Sequence, residues 1–247
     1  MKQYEAVLTA LEELGGVATL GDLNHTALKI SNCEWKTKTP YASIRRIVQQ
    51  TKGIYKIKPG LWALESHRKE LETKGYLVEN EKNKNSEEIK KFNHSYYQGL
   101  LTTIGNLRGL STFMPDQDKN KIFSNKTLGQ IRTLQEMPNF SYDYFIKKSS
   151  TIDVIWFNDR KMPCSFFEVE HSTDIQNSLL KFSELTDFST RMFIVADSMR
   201  RKEYLSKINY SSFQRLTKDK RGLFLSYGDL EKQYAREIEK CSYETIL

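Results

Sequence analysis

Cysteines, membrane-length apolar runs and internal repeats are scarce or missing in this sequence, and each absence excludes a class of protein. The three cysteines, Cys33, Cys164 and Cys241, lie far apart and belong to no CxxC or Cys/His cluster. Neither a disulfide framework nor a structural zinc site therefore has its ligands, and a reducing cytoplasm is the expected location. No stretch approaches the ~20 apolar residues needed to span a bilayer. The opening MKQYEAVLTALEELGG places acidic residues inside its apolar periodicity, unlike a signal peptide. A soluble chain with no membrane partner is the expectation.

What is abundant is positive charge. Lys and Arg number 38 against 31 Asp and Glu, a net charge of +7, so the surface attracts polyanions, among which nucleic acid is the commonest. The length of 247 residues accommodates two small domains or one large one.

The first 66 residues read as three helices and a hairpin. Val7, Leu8, Leu11 and Leu14 recur at helical spacing and stop at Gly15-Gly16. Thr19 is a candidate N-cap for a second helix through Leu20, Leu23 and Leu28, and Thr39-Pro40 opens a third. That third helix has Ile44, Ile47 and Val48 on one face and Arg45, Arg46, Gln49 and Gln50 on the other. Ile54 to Lys58, the turn Pro59-Gly60 and Leu61 to Leu64 form the hairpin. Together these elements predict a winged helix-turn-helix.

Charge is concentrated in this module. Between positions 29 and 58 eight basic residues, among them Lys38, Arg45, Arg46, Lys56 and Lys58, face the single acid Glu34. Arg45, Arg46 and Gln49 suit base edges in a major groove, and Lys56 and Lys58, alternating with Tyr55 and Ile57, suit phosphates. The competing reading is a solvated helix face beside a charged edge strand. The segments LEELGGVATLGDL, TKTPYASIRRIV and IYKIKPGLWALE resemble the HARE-type winged helix over residues 1 to 66. The resemblance implies engagement of double-stranded DNA, with modified bases among the signals it could read.

Residues 67 to 92 mix Lys, Arg, Glu and Asn with few apolar residues, which predicts a charged linker contributing little core. From residue 93 to 247 helices and strands interleave. A helix is expected over about Asn93 to Arg108, and strands over Thr151 to Phe157, Ser165 to Val169, Met192 to Ala196 and Leu223 to Ser226. Further helices are expected from about Asp174 behind the caps Ser172 and Thr173, from Ser198, and from Asp229. The fold class is thus α+β or α/β, a mixed β-sheet flanked by helices.

The chemistry-bearing stretch is Ile152-Asp153-Val154-Ile155-Trp156-Phe157, a polar loop, then Phe166-Phe167-Glu168-Val169-Glu170-His171. Alternation puts Glu168 and Glu170 on one strand face, where two desolvated carboxylates are unfavourable unless a cation joins them. With Asp153 across from them, the oxygen-rich cluster matches the preference of Mg²⁺, with Mn²⁺ as a substitute. The bland alternative is a solvent-facing edge strand with Asp153 at a turn. The two metal-binding acids Asp153 and Glu168 are expected to lie outside the core.

This arrangement resembles the PD-(D/E)XK nuclease superfamily, with Asp153 and Glu168 at its two acidic positions. Glu170 stands where that motif usually has lysine and counts with Asp153 and Glu168 as a catalytic candidate. The resemblance implies a restriction-endonuclease-like sheet, Mg²⁺-dependent hydrolysis of duplex DNA and a cognate DNA methyltransferase in the same system; cutting both strands takes two active sites, so a homodimer on DNA is expected by symmetry with the duplex. It also implies that a lysine from a neighbouring helix can stand in, which makes Lys181 the candidate, with Gln176 a weaker one. A surface lysine with a packed stem is the alternative for Lys181. His171 is as readily a local hydrogen-bonding residue as a proton carrier. The helix from Asn93 offers His94 and Gln98 but no further carboxylate. Arg200, Arg201 and Lys202 are either phosphate contacts or a solvated turn. The rival functions are a non-catalytic DNA-binding regulator that lost catalysis at Glu170, and an RNA-directed or structural adaptor.

Overall fold

The computed structural model describes residues 1–80, 82–83, 86–171 and 173–244. The chain divides into two compact units, one of Met1–Phe92 with the chain from Ala235 onward, the other of Asn93–Tyr234.

The first unit begins α1 (Gln3–Glu13), β1 (Val17–Thr19), α2 (Leu20–Lys29) and α3 (Pro40–Gln50), then β2 (Ile54–Lys58), β3 (Leu61–Leu64) and α4 (Arg68–Thr73). Helix α1 ends where Gly15 and Gly16 both take φ of +79°, and a Cβ at Gly16 would meet the His67 side chain at 2.5 Å. The Thr19 hydroxyl accepts the Asp22 N–H at 3.1 Å, capping α2. Pro40 occupies the first turn of α3, where a missing N–H costs nothing. Val7, Leu11, Leu23, Ile44, Val48 and Trp62 close over one core. The strands form an antiparallel sheet of order β1-β3-β2. β1 is only Val-Ala-Thr, too short to register as a pattern in the sequence.

Arg45, Arg46, Gln49 and Lys56 are exposed, as their positions on the helix and hairpin predict, and so is Lys38 in the loop ahead of α3. Lys58 differs. The pairing register slips between Lys56 and Lys58, and such a bulge breaks the alternation of faces. Lys58 is consequently buried and does not share the outer face of Lys56. The described residues between 67 and 92 also carry more structure than their composition predicts. They contain α4, and Leu71, Tyr76 and Ile89 are buried, so a few well-spaced apolar residues suffice to anchor a mostly charged segment.

The long helix α5 runs Glu87–Leu107, starting ahead of the expected Asn93. It is followed by β4 (Ser111–Phe113), β5 (Ile122–Phe123), β6 (Lys126–Thr127), α6 (Leu128–Ile131) and α7 (Asp143–Ser149). Then come β7 (Val154–Phe157), β8 (Pro163–Glu170), α8 (Ile175–Ser183), β9 (Arg191–Ala196), α9 (Arg201–Ile208), α10 (Gln214–Lys218), β10 (Gly222–Ser226) and α11 (Tyr227–Glu244). Five strands make one mixed sheet of order β10-β9-β8-β7-β4. β8, β9 and β10 are parallel, while β7 and β4 join antiparallel.

Phe166 of β8 and Ile194 of β9 share a core with Ile175, Leu179 and Phe182 of α8, so α8 lies on the sheet face that also carries Glu168 and Glu170. On the opposite face Phe167 stacks on Phe193 at 4.9 Å, and the Trp156 indole N–H donates to the Leu101 carbonyl of α5 at 3.1 Å. A Cβ at Gly99 would sit 2.2 Å from the Phe123 ring. The absence of a side chain there lets the segment after β4 pack close against α5, which brings Asp118 to Gln98.

Candidate active site

Three elements converge on one set of carboxylates. Asp153 stands in the turn just ahead of β7, which begins at Val154 and not at Thr151 as expected. Its Oδ2 accepts the Val169 N–H of β8 at 2.7 Å, and its Oδ1 lies 3.3 Å from His94 Nε2 of α5. Glu168 and Glu170 project toward α8. Contrary to the expectation that the metal-binding acids lie outside the core, Glu168 is only 3% exposed, and Glu170 beside it is 5% exposed.

Each buried carboxylate has partners from or near α8. Lys181 Nζ donates to Glu168 Oε2 at 2.8 Å and to the Thr151 carbonyl at 3.3 Å. The Ser178 hydroxyl lies 3.1 Å from Glu168 Oε2 and also bonds Glu170 Oε1. One hydroxyl carries one proton and can donate to only one of them. The Thr173 hydroxyl donates to the other oxygen of Glu170. Thr173 is thus a partner of the cluster and not a helix cap. Asp174 fills the cap, accepting the Gln176 N–H at 2.8 Å, while Ser172 lies outside the described residues.

The electrostatics follow from burial. Desolvation, reinforced by the neighbouring Asp153 charge, pushes the Glu168 carboxyl up to about 8, and Lys181 and Ser178 offset only part of this. Burial disfavours the Lys181 ammonium, but its attraction to Glu168 outweighs that penalty and its pKa rises. Burial likewise opposes charging of His94, and attraction to Asp153 again prevails. Glu168 Oε1 is buried with no hydrogen-bond partner among the described residues. An orphaned carboxylate oxygen beside a second carboxylate is costly unless a cation or a proton serves it, so Glu168 can take a cation shared with Asp153, although the three-ligand group found among the described residues is His94, Asp118 and Asp153.

Other sequence candidates fall less centrally. The His171 ring lies near-parallel to Tyr227 at 6.4 Å, and the Tyr227 hydroxyl donates to the Glu170 carbonyl at 3.0 Å. Gln176 is half-buried in the first turn of α8. Arg200 is half-buried and donates to the Thr173 carbonyl at 2.6 Å and to Glu203 at 2.9 Å. Arg201 lies over the Phe224 ring at 5.9 Å, and Lys202 is exposed.

Sequence reasoning missed Asp118. It arrives from a 3-10 turn, Asp116–Asp118, in a region without periodicity, and is 3% exposed. Gln98 Nε2 donates to Asp118 Oδ2 at 2.7 Å, and Lys121 Nζ lies 2.6 Å from Asp118 Oδ1. Ligand atoms of His94, Asp118 and Asp153 lie within 4.8 Å of one another. Helix α5 supplies the imidazole that the sequence flagged, but the additional carboxylate comes from elsewhere.

Comparison with known proteins adds the family. The family described as the type II restriction enzyme NmeDI C-terminal domain matches residues 76–246. The chain is similar to the type II restriction enzyme NmeDI of Neisseria meningitidis serogroup C, 26% identical over 160 residues, which is 61% of this chain and 44% of that protein. It therefore spans less than half the length of that relative. No solved structure matches. No helix among the described residues is long and apolar enough to cross a membrane, and none of the three cysteines forms a disulfide among them.

Proposed function

Because the chain belongs to the family of the type II restriction enzyme NmeDI C-terminal domain, we propose that it is a Mg²⁺-dependent endonuclease of duplex DNA. Asp153 and Glu168 hold the ion, in the manner of PD-(D/E)XK nucleases. The observation that carries this reading is the buried, partnerless Glu168 Oε1 in a cluster that also holds Asp153 and Lys181. When bound, the ion neutralises charge at the phosphate and acidifies the attacking water.

The protein's own groups do the rest. Lys181, paired to Glu168 at 2.8 Å, places a cation beside the carboxylates where it can orient the water or balance charge on the leaving side. It takes the role left open by Glu170. Glu170 is a positioning residue, tying Ser178 of α8 and Thr173 of the preceding loop to the end of β8. Residues 1 to 66 act as a winged-helix module in which Lys38, Arg45, Arg46, Gln49 and Lys56 meet DNA, residues 67 to 92 connect, and residues 93 to 247 cut. Two strands call for two sites, so a homodimer on DNA is part of the proposal, as is a cytoplasmic partnership with a modifying methyltransferase. The presence of Glu170 at the usual lysine position favours one second reading, a DNA-binding regulator without catalysis.

Cleavage of unmodified and methylated plasmids with Mg²⁺ and with EDTA tests this. The wild type is expected to nick or cut only with the ion, and Asp153→Asn and Glu168→Gln are expected to lose cleavage while still binding DNA. Absence of cleavage on both plasmids, or full cleavage by either variant, would refute the assignment.

A further inference from the structure

We infer that His94, Asp118 and Asp153 form a second cation site, one with a nitrogen ligand, that takes a first-row transition ion such as Mn²⁺ or Co²⁺ in preference to Mg²⁺. This deepens the reading above and borrows only Asp153 from it. The ligand atoms of the three residues lie within 4.8 Å of one another, a spread that a shared ion closes by small side-chain rotations. Two carboxylates and an imidazole are a mixed donor set. Mg²⁺ favours all-oxygen surroundings and keeps its waters, whereas imidazole raises affinity along the transition series.

Gln98 supplies an independent observation. It is fully buried, and its carboxamide touches two members of the set, donating to Asp118 Oδ2 at 2.7 Å and to the Asp153 carbonyl at 3.4 Å. Its Oε1 is buried with no partner among the described residues, a neutral acceptor left for a water held by an ion. Gln98 thereby fixes one oxygen of Asp118 and leaves the other facing a cation.

That cation is at present the Lys121 ammonium, 2.6 Å from Asp118 Oδ1. Lys121 is about one-third exposed and His94 one-quarter exposed, so an ion has a path to the ligands. Lys121 is then a counter-charge that a metal displaces, competing with it as a proton competes at an acid.

The test reads binding in the full chain without DNA. Mn²⁺ titrated into the wild type is followed by calorimetry, and bound Mn²⁺ by pulsed EPR for coupling to a ligand nitrogen. The expected result is nitrogen coupling in the wild type, its loss in His94→Gln, and affinity weakened roughly tenfold or more in His94→Gln and Asp118→Asn. Lys121→Ala is expected to bind Mn²⁺ several-fold more tightly. Melting of each metal-free variant checks that it folds; should one fail, the other ligand variant and the wild-type spectrum still decide. Mn²⁺ without nitrogen coupling in the wild type, or undiminished affinity in a folded His94→Gln, overturns the site. Nitrogen-coupled Mn²⁺ in a protein that cleaves nothing would sink the nuclease reading and leave this one standing.

Discussion

Replacing Glu168 by Gln should stabilise the metal-free protein while removing its activity. A carboxyl raised from 4.5 to about 8 in the fold holds its proton through a pH range in which the unfolded chain has released it. The sign follows from linkage: the folded state binds more protons between those two values, so the stability contributed by this group is fully present below 4.5 and falls as pH rises to about 8. The full gap corresponds to about 5 kcal/mol, and relaxation around the charged form reduces it, so a loss on the order of 3 kcal/mol is the working figure. Glutamine has the shape of the protonated acid and no such loss. Urea denaturation in EDTA at pH 5 and pH 8.5 measures it, and the difference between wild type and variant cancels other titrating groups such as His94. The two proteins should be about equal at pH 5, and the variant should lead by several kcal/mol at pH 8.5. Saturating Mg²⁺ should restore the wild type alone, by about 2.7 kcal/mol at a hundredfold excess over Kd. Parallel stabilities across the pH range, or a wild type that gains on the variant as pH rises, would refute the reasoning.

Two further outcomes are expected. Lys181→Ala should lower the cleavage rate by about tenfold or more and move the pH-rate profile to higher pH, since the ammonium is one of the groups holding the Glu168 carboxyl down; an unchanged rate and profile would make Lys181 a surface lysine. Arg45→Ala combined with Arg46→Ala should flatten the salt dependence of DNA binding by about 0.9 in log-log slope per lost phosphate contact, or cost about 1 to 3 kcal/mol selectively on cognate DNA if the arginines read bases; wild-type affinity and slope in the double variant would exclude α3 as a DNA contact.

The legible parts of the fold are those with strong periodicity or local chemistry. α1, α2 and α3 follow from spaced apolar residues, a glycine pair, a threonine cap and a helix-opening proline, and β8 follows from an apolar run ending in two acids. What escaped was set by tertiary packing. β1 and β4 have three residues each and are strands because neighbours supply their hydrogen bonds. The inward turn of Lys58 depends on a bulge that alternation cannot anticipate. At the candidate site, Glu168, Glu170 and Asp153 were visible as spacing, and Lys181 as a basic residue among apolar ones. Asp118 was not, because its approach depends on Gly99 making room for Phe123, a contact between segments distant in sequence. The burial of the acids was misjudged for a related reason: α8 covers that face, and strand alternation alone says nothing about what lies over it.

The bond from the Val169 N–H to Asp153 Oδ2 has a consequence for how variants of this protein can be interpreted. The β7–β8 ladder stops at Val154 and Phe167, and the next donor along β8 is served by a side chain in place of a main-chain carbonyl. One carboxylate is therefore both a reagent and a rung of the sheet. In a screen that scores cellular abundance separately from cleavage, Asp153→Ala belongs in both columns, since it strands a main-chain donor at a cost of about 1 to 3 kcal/mol. Asparagine retains a carbonyl oxygen for the rung and gives up the charge, so the two substitutions at this single position separate the architectural role of the residue from its chemical one.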